Sequence, residues 1–226
     1  MSRTYTWADA LARVGGQYAR NIEDAQAIFA VNEAQFLIWD AYDWRETLEE
    51  LPPFWLIANE QDYGAPTAVI PSDFQALRRA YLVNVDSNYG REEMKVKRDI
   101  MRTNMRALPR DIGYAPETNT FRTWPRCPEG MNPAQWLVDG VYKKKPTKIT
   151  TSNIASELLP WDDRHFRVAC TALKWALAPE ISPEKDKLFV SAMYQVRDMA
   201  DKEGLDLGDP QGISPAEPLV REWGVR

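Results

Sequence analysis

The stretch Pro52-Pro53-Phe54-Trp55-Leu56-Ile57-Ala58 marks a change of period along the chain. Upstream of it, apolar residues recur three and four apart, the spacing of a helix face. Downstream, prolines at positions 52, 53, 66, 71, 109, 116, 125, 128, 133 and 146 separate short runs as far as about residue 151. Proline has no backbone donor and clashes with the preceding turn, so this region suits strands and turns and forbids long helices. Strands are predicted at 54–58, 68–70, 80–85, 120–124 and 135–142. Residues 91–107 contain no proline and read as a polar helix or an ordered excursion.

Helices are predicted on both sides of this region. The first opens at Thr6, an N-cap with Asp9 three residues on, and carries Trp7, Leu11 and Val14 on one face before Gly15-Gly16 ends it. The second runs from about Asn21 to Tyr42. Ala25, Phe29, Phe36 and Trp39 mark one stripe, and Ile28, Val31, Ile38 and Tyr42 a second beside it, which predicts a broad buried face. It finishes in the aromatic run Trp39-Asp40-Ala41-Tyr42-Asp43-Trp44-Arg45. After the proline-rich region a helix opens near Trp161-Asp162, with Phe166, Cys170, Leu173 and Leu177 at helical spacing, and Pro179 stops it. The last starts at Ser182-Pro183, with proline at its permitted first position, and runs to about Lys202 before Gly204 breaks it.

The predicted fold is therefore α+β. Residues 1–50 and 155–203 are expected to form a helical bundle, and 51–154 an inserted β-rich, antiparallel region with a basic excursion at 91–110. Residues 204–226 read as an extended docking tail. That tail is poor in apolar residues yet ends in Leu219-Val220-Arg221-Glu222-Trp223, so its Trp must pack on its own domain or on a neighbour.

Composition narrows the function classes. With 226 residues, 44% hydrophobic and 27% charged, the chain has the make-up of a soluble globular protein. Nine Trp are unusual, and such rings concentrate at interfaces, although most single ones belong to cores. A net charge of -5 disfavours bulk nucleic-acid binding. Cys127 and Cys170 form no CxxC, which suggests two inert thiols in a reducing compartment. The longest apolar runs are too short to span a membrane, and the N-terminus has no secretory h-region.

His165 is the one histidine, set among charges in Trp161-Asp162-Asp163-Arg164-His165-Phe166-Arg167, and no nucleophile–base signature surrounds it or either cysteine. Asp162-Asp163 is explained by the dipole of the helix it precedes. No phosphate-binding glycine motif occurs. No catalytic residue, metal site or cofactor is predicted, and the chain is not expected to be an enzyme. Charge is the clearer signal. Lys95, Arg98, Arg102 and Arg106 lie in one basic stretch and Lys143, Lys144 and Lys145 form another. A solvated face is the plain reading. The sharper one is contact with an acidic partner or with passing DNA, salt-dependent and blind to sequence.

Several phrases together resemble one family. Tyr63 ahead of Ile70-Pro71-Ser72-Asp73-Phe74, then Ile112-Gly113-Tyr114, then Phe121-Arg122-Thr123-Trp124-Pro125, then Val141-Tyr142-Lys143-Lys144-Lys145-Pro146 follow a helix ending in Trp39 and Trp44-Arg45. In this order they resemble the head–tail adaptor proteins of tailed bacteriophages, also called connectors or tail tubular proteins, over about residues 20–180. The resemblance implies a virion neck protein made in the host cytoplasm. It implies a homo-oligomeric ring of twelve copies under the portal protein, extending the DNA channel and docking a downstream tail or nozzle protein. DNA would pass without sequence-specific binding, with no cofactor and no membrane. The tail residues Leu219, Val220, Arg221, Trp223 and Arg226 become candidates for gripping the portal or a neighbour, and the two basic stretches for facing the channel or a partner. Two alternatives stay open: a tail-completion or nozzle protein of the same neck, and a DNA-binding packaging or regulatory protein using 91–110.

Overall fold

A computed structural model describes residues 3–14, 16, 24–86, 91–132, 135–179 and 182–205. The chain divides into two compact units, one of Met1–Glu46 with Pro146–Arg226 and one of Thr47–Lys145.

In the first unit, helix α1 (Trp7–Val14) starts as its sequence predicts. The Thr6 hydroxyl accepts the Asp9 N–H at 3.2 Å and the Asp9 carboxylate accepts the Thr6 N–H at 2.8 Å, a reciprocal cap. Helix α2 (Ala25–Ala41) is capped by Asp24, helix α3 is Phe166–Leu177, and helix α4 (Pro183–Lys202) is capped by Ser182. Trp7, Trp39, Trp44 and Trp161 are all buried in one apolar cluster. The Trp44 indole N–H donates to the Ile38 carbonyl at 2.6 Å, so the aromatic end of α2 folds back on its own last turn. Two amides of α2 hold the returning chain. Asn32 exchanges two hydrogen bonds with the backbone of Ile149, both 2.9 Å, and Gln35 donates to the Thr147 carbonyl at 3.0 Å.

The second unit is a seven-stranded sheet that curls into a half-barrel. Its strands are β1 (Leu48–Trp55), β2 (Asp62–Tyr63), β3 (Phe74–Asn84), β4 (Glu92–Val96), β5 (Asp111–Ala115), β6 (Thr120–Trp124) and β7 (Trp136–Lys144). They lie in the order β1-β7-β3-β4-β5-β6-β2. Pro52 and Pro53 sit inside β1, which the position of that strand permits. It is an edge strand, and its register breaks between Leu51 and Phe54, so neither proline interrupts a central ladder. At the centre, β3 and β7 approach so closely that a Cβ at Gly140 would lie 2.2 Å from the Arg79 carbonyl oxygen. Phe54, Phe74 and Phe121 belong to one buried apolar cluster, with Phe54 stacked on Phe121 at 5.6 Å between centroids.

The expected helical bundle with an inserted antiparallel region is corrected by this architecture. The protein is mixed α/β, with a seven-stranded curled sheet and four α-helices among the described residues. The sheet holds a full apolar cluster of its own and is no appendage to a bundle. It is also not wholly antiparallel, because β4 and β5 pair in parallel through Lys95↔Asp111 and Val96↔Ile112. Local predictions fared unevenly. The strand at 120–124 is β6, and the strand at 135–142 is most of β7. Residues 68–70 form no strand, and β3 begins at Phe74 rather than 80. Of the two readings of 91–107, a polar helix or an ordered excursion, the helix is absent: Glu92–Val96 is a strand, and the rest is irregular.

Candidate interaction surface

Parallel strands cannot be joined by a tight hairpin, so β4 and β5 require a crossover, and residues 97–110 provide it. This crossover has almost no regular structure, yet its backbone is held at many points. Buried Gln61, beside β2, uses both ends of its side-chain amide. Its Nε2 donates to the Met101 carbonyl at 3.0 Å, and its Oε1 accepts the Thr103 N–H at 3.1 Å. The Arg122 guanidinium donates to the Ile100 carbonyl at 3.2 Å. Ala107 N–H donates to the Arg126 carbonyl and Arg126 N–H to the Met105 carbonyl, both at 3.0 Å. Gly113 of β5 lies directly under the crossover, since a Cβ there would come within 2.4 Å of the Lys97 carbonyl oxygen.

The basic residues of this stretch do two different things. Arg102 pairs with Asp62 at 3.1 Å, and Asp62 also receives Arg122 at 2.5 Å, so the same carboxylate ties crossover to sheet twice. Arg106 pairs with Glu129 at 2.6 Å, and Lys97 with Asp111. Lys95 and Arg98 are exposed and have no ion pair among the described residues. In the second cluster, Lys143 is only 1% exposed, whereas the sequence placed it on a solvated or partner-facing surface. It is buried although the two-residue period of β7 sets it on the opposite face from Val138, Gly140 and Tyr142, so both faces are covered at that end of the strand. Lys144 pairs with Glu49 at 2.8 Å, and Lys145 is exposed. The seven candidates therefore do not form one basic face. The tail candidates Leu219, Val220, Arg221, Trp223 and Arg226 lie outside the described residues.

Among these exposed cations the crossover also presents apolar side chains. Met101 is 84% exposed and Met105 56%, with Leu108 also exposed. A reading of 97–110 by charge alone passes over these residues. Two methionines four apart among arginines were the available signal. Gln61 gave none, because its role depends on where the crossover returns.

A second apolar surface lies on α2. Phe29 and Phe36 are 65% and 47% exposed, although the sequence placed them on a buried stripe. The buried positions are Ala27, Ala30, Val31, Ala34, Gln35, Leu37, Ile38, Trp39 and Ala41, so Val31, Ile38 and Trp39 of the two stripes face the core as expected, alanines fill the rest of that face, and Phe29 and Phe36 face out. On α4, Val190 and Tyr194 are exposed as well.

The titratable residues are engaged structurally. His165 is buried and shares the Glu203 carboxylate oxygen at 3.0 Å with Arg164, which reaches it at 2.5 Å. Burial pushes the Glu203 carboxyl up, but the hydrogen bonds and charges of His165 and Arg164 outweigh it and hold the group below its ordinary value. Cys127 lies 3.0 Å from the Tyr63 hydroxyl, and burial raises the pKa of both groups. Among the described residues no cluster of three or more His, Cys, Asp or Glu is arranged to hold a metal ion, and no helix is long and apolar enough to cross a membrane. Neither a protein-family model nor a curated protein sequence matches this chain.

Proposed function

We propose that the chain is a structural subunit of a tailed-phage neck, a head–tail adaptor that assembles as a ring under the portal and docks the tail. The observation that carries this reading is a pair of unlike apolar surfaces, one on each unit. The crossover presents Met101 and Met105, and α2 presents Phe29 and Phe36. A subunit that closes a ring by rotation needs two different sticky faces, since head-to-tail contacts never match a patch with itself. The order of aromatic-proline phrases supports the same family, although the bundle architecture expected from it does not hold.

A DNA-binding regulator using 91–110 has weaker support. Arg102 and Arg106 already face carboxylates, and Lys144 faces Glu49. In the adaptor reading the C-terminal segment grips the portal. Deleting residues 219–226 should leave the melting temperature unchanged while weakening co-sedimentation with the portal. Unchanged co-sedimentation would remove the segment from the mechanism.

A further inference from the structure

We infer that Met101 and Met105 form a methionine oxidation site, at which a hydroperoxide turns these apolar side chains of the crossover into polar ones while the fold stays closed. The inference holds whether or not the chain forms a ring.

Exposure singles out these two sulfurs. Met101 is the most exposed large apolar side chain among the described residues, and Met105 is exposed as well. Met94, Met131 and Met199 are buried, and Met193 packs against the helical core. In the reaction, a lone pair of the thioether sulfur attacks the terminal oxygen of the hydroperoxide. The S–O bond forms as the O–O bond breaks. The sulfur is oxidised to the sulfoxide, and the peroxide is reduced to an alcohol or water, which takes up the proton of the transferred oxygen. Charge is separated until that proton moves, so solvent at the sulfur favours the step and an apolar core opposes it. The backbone at both residues is anchored separately. Gln61 Nε2 donates to the Met101 carbonyl at 3.0 Å, the Arg126 N–H donates to the Met105 carbonyl at 3.0 Å, and the Met105 N–H donates to the Thr103 hydroxyl at 3.1 Å. None of these bonds involves a sulfur, so an oxygen added to either side chain leaves them in place. The polar, chiral sulfoxides then replace an apolar surface on a crossover still tied to the sheet.

Dilute hydrogen peroxide added to the full chain, followed by peptide mass spectrometry, tests this. Met101 and Met105 should each gain an oxygen at least roughly tenfold faster than Met94, Met131 and Met199, which are reached only through opened states of small population. The melting temperature should not change, and retention on a hydrophobic-interaction column should fall. Methionine sulfoxide reductases, one for each sulfoxide epimer, should restore both the mass and the retention. A Met101→Leu/Met105→Leu chain, close in volume, should keep its retention under the same treatment. Equal rates at the exposed and buried methionines overturn the inference, and that readout on the wild-type chain stands however the leucine variant folds. A fall in melting temperature while only Met101 and Met105 are oxidised overturns it too. So does a retention that is unchanged by peroxide, or that falls equally in the leucine variant.

Discussion

The side-chain amide of Gln61 accepts the Thr103 backbone N–H at 3.1 Å across 42 residues of sequence, and the same amide donates to Met101. One buried side chain thus substitutes for the ladder partners that an irregular crossover lacks. Gln61→Ala removes both bonds and should destabilise the protein by about 1–3 kcal/mol, the cost of leaving such groups unsatisfied. Hydrogen exchange at Thr103 should accelerate to the rate of an open loop. Unaltered protection at that amide would mean that the clamp does not hold the crossover.

The ion pairs bear on the question of DNA. Seven cations meeting phosphates would give a salt dependence of about −6 in log K against log salt, since each contributes roughly −0.9. Arg102, Arg106 and Lys144 are paired and Lys143 is buried, which leaves Lys95, Arg98 and Lys145 of that set. Any binding to duplex DNA should therefore be weak, with a slope no steeper than about −3. Fluorescence anisotropy across a salt series measures it, and a slope near −6 would restore the DNA-binding alternative.

Much of the helical unit was legible in the sequence. The Thr6 and Ser182 caps, the Pro179 stop and the Gly204 break are local signals, and the structure bears them out. The faces of α2 were less legible. Periodicity identifies a helix but cannot tell whether alanines or phenylalanines face the core, and here Ala27, Ala30 and Ala34 allow close packing while Phe29 and Phe36 point out. The sheet suffered most. A parallel pairing between β4 and β5 depends on residues fifteen or more positions apart, and nothing within either strand announces its partner. Lys143 shows the same limit, since the two-residue period sets it opposite Tyr142 on β7 and gives no sign that it too is buried.

The thiols give a simple chemical check. Cys127 and Cys170 are both buried, and burial raises both thiol pKa values, with the Tyr63 hydroxyl hydrogen-bonded to Cys127. Since the thiolate is the reactive form, neither should react with a thiol reagent at neutral pH until the protein unfolds. Absorbance from an aromatic disulfide reagent follows this directly. Rapid labelling of the native protein would show that one of the sites opens.

At the base of α4, acid should loosen the contact of Glu203 with Arg164 and His165. The folded carboxyl titrates below its ordinary value of 4.5, so its contribution is fully present above that pH and fades as pH falls through the lower folded value. Glu203→Gln should cost about 1–2 kcal/mol at neutral pH. The gap in melting temperature between variant and wild type should close below pH 4.5. A gap that stays constant into acid would show that the charge of Glu203 contributes nothing.

We propose a ring-forming neck subunit, and electron microscopy of the protein assembled with its portal distinguishes this from a free monomer. A closed twelve-fold ring seated on the portal, continuous with its channel, is the expected image. A chain that stays monomeric and leaves the portal bare would contradict it.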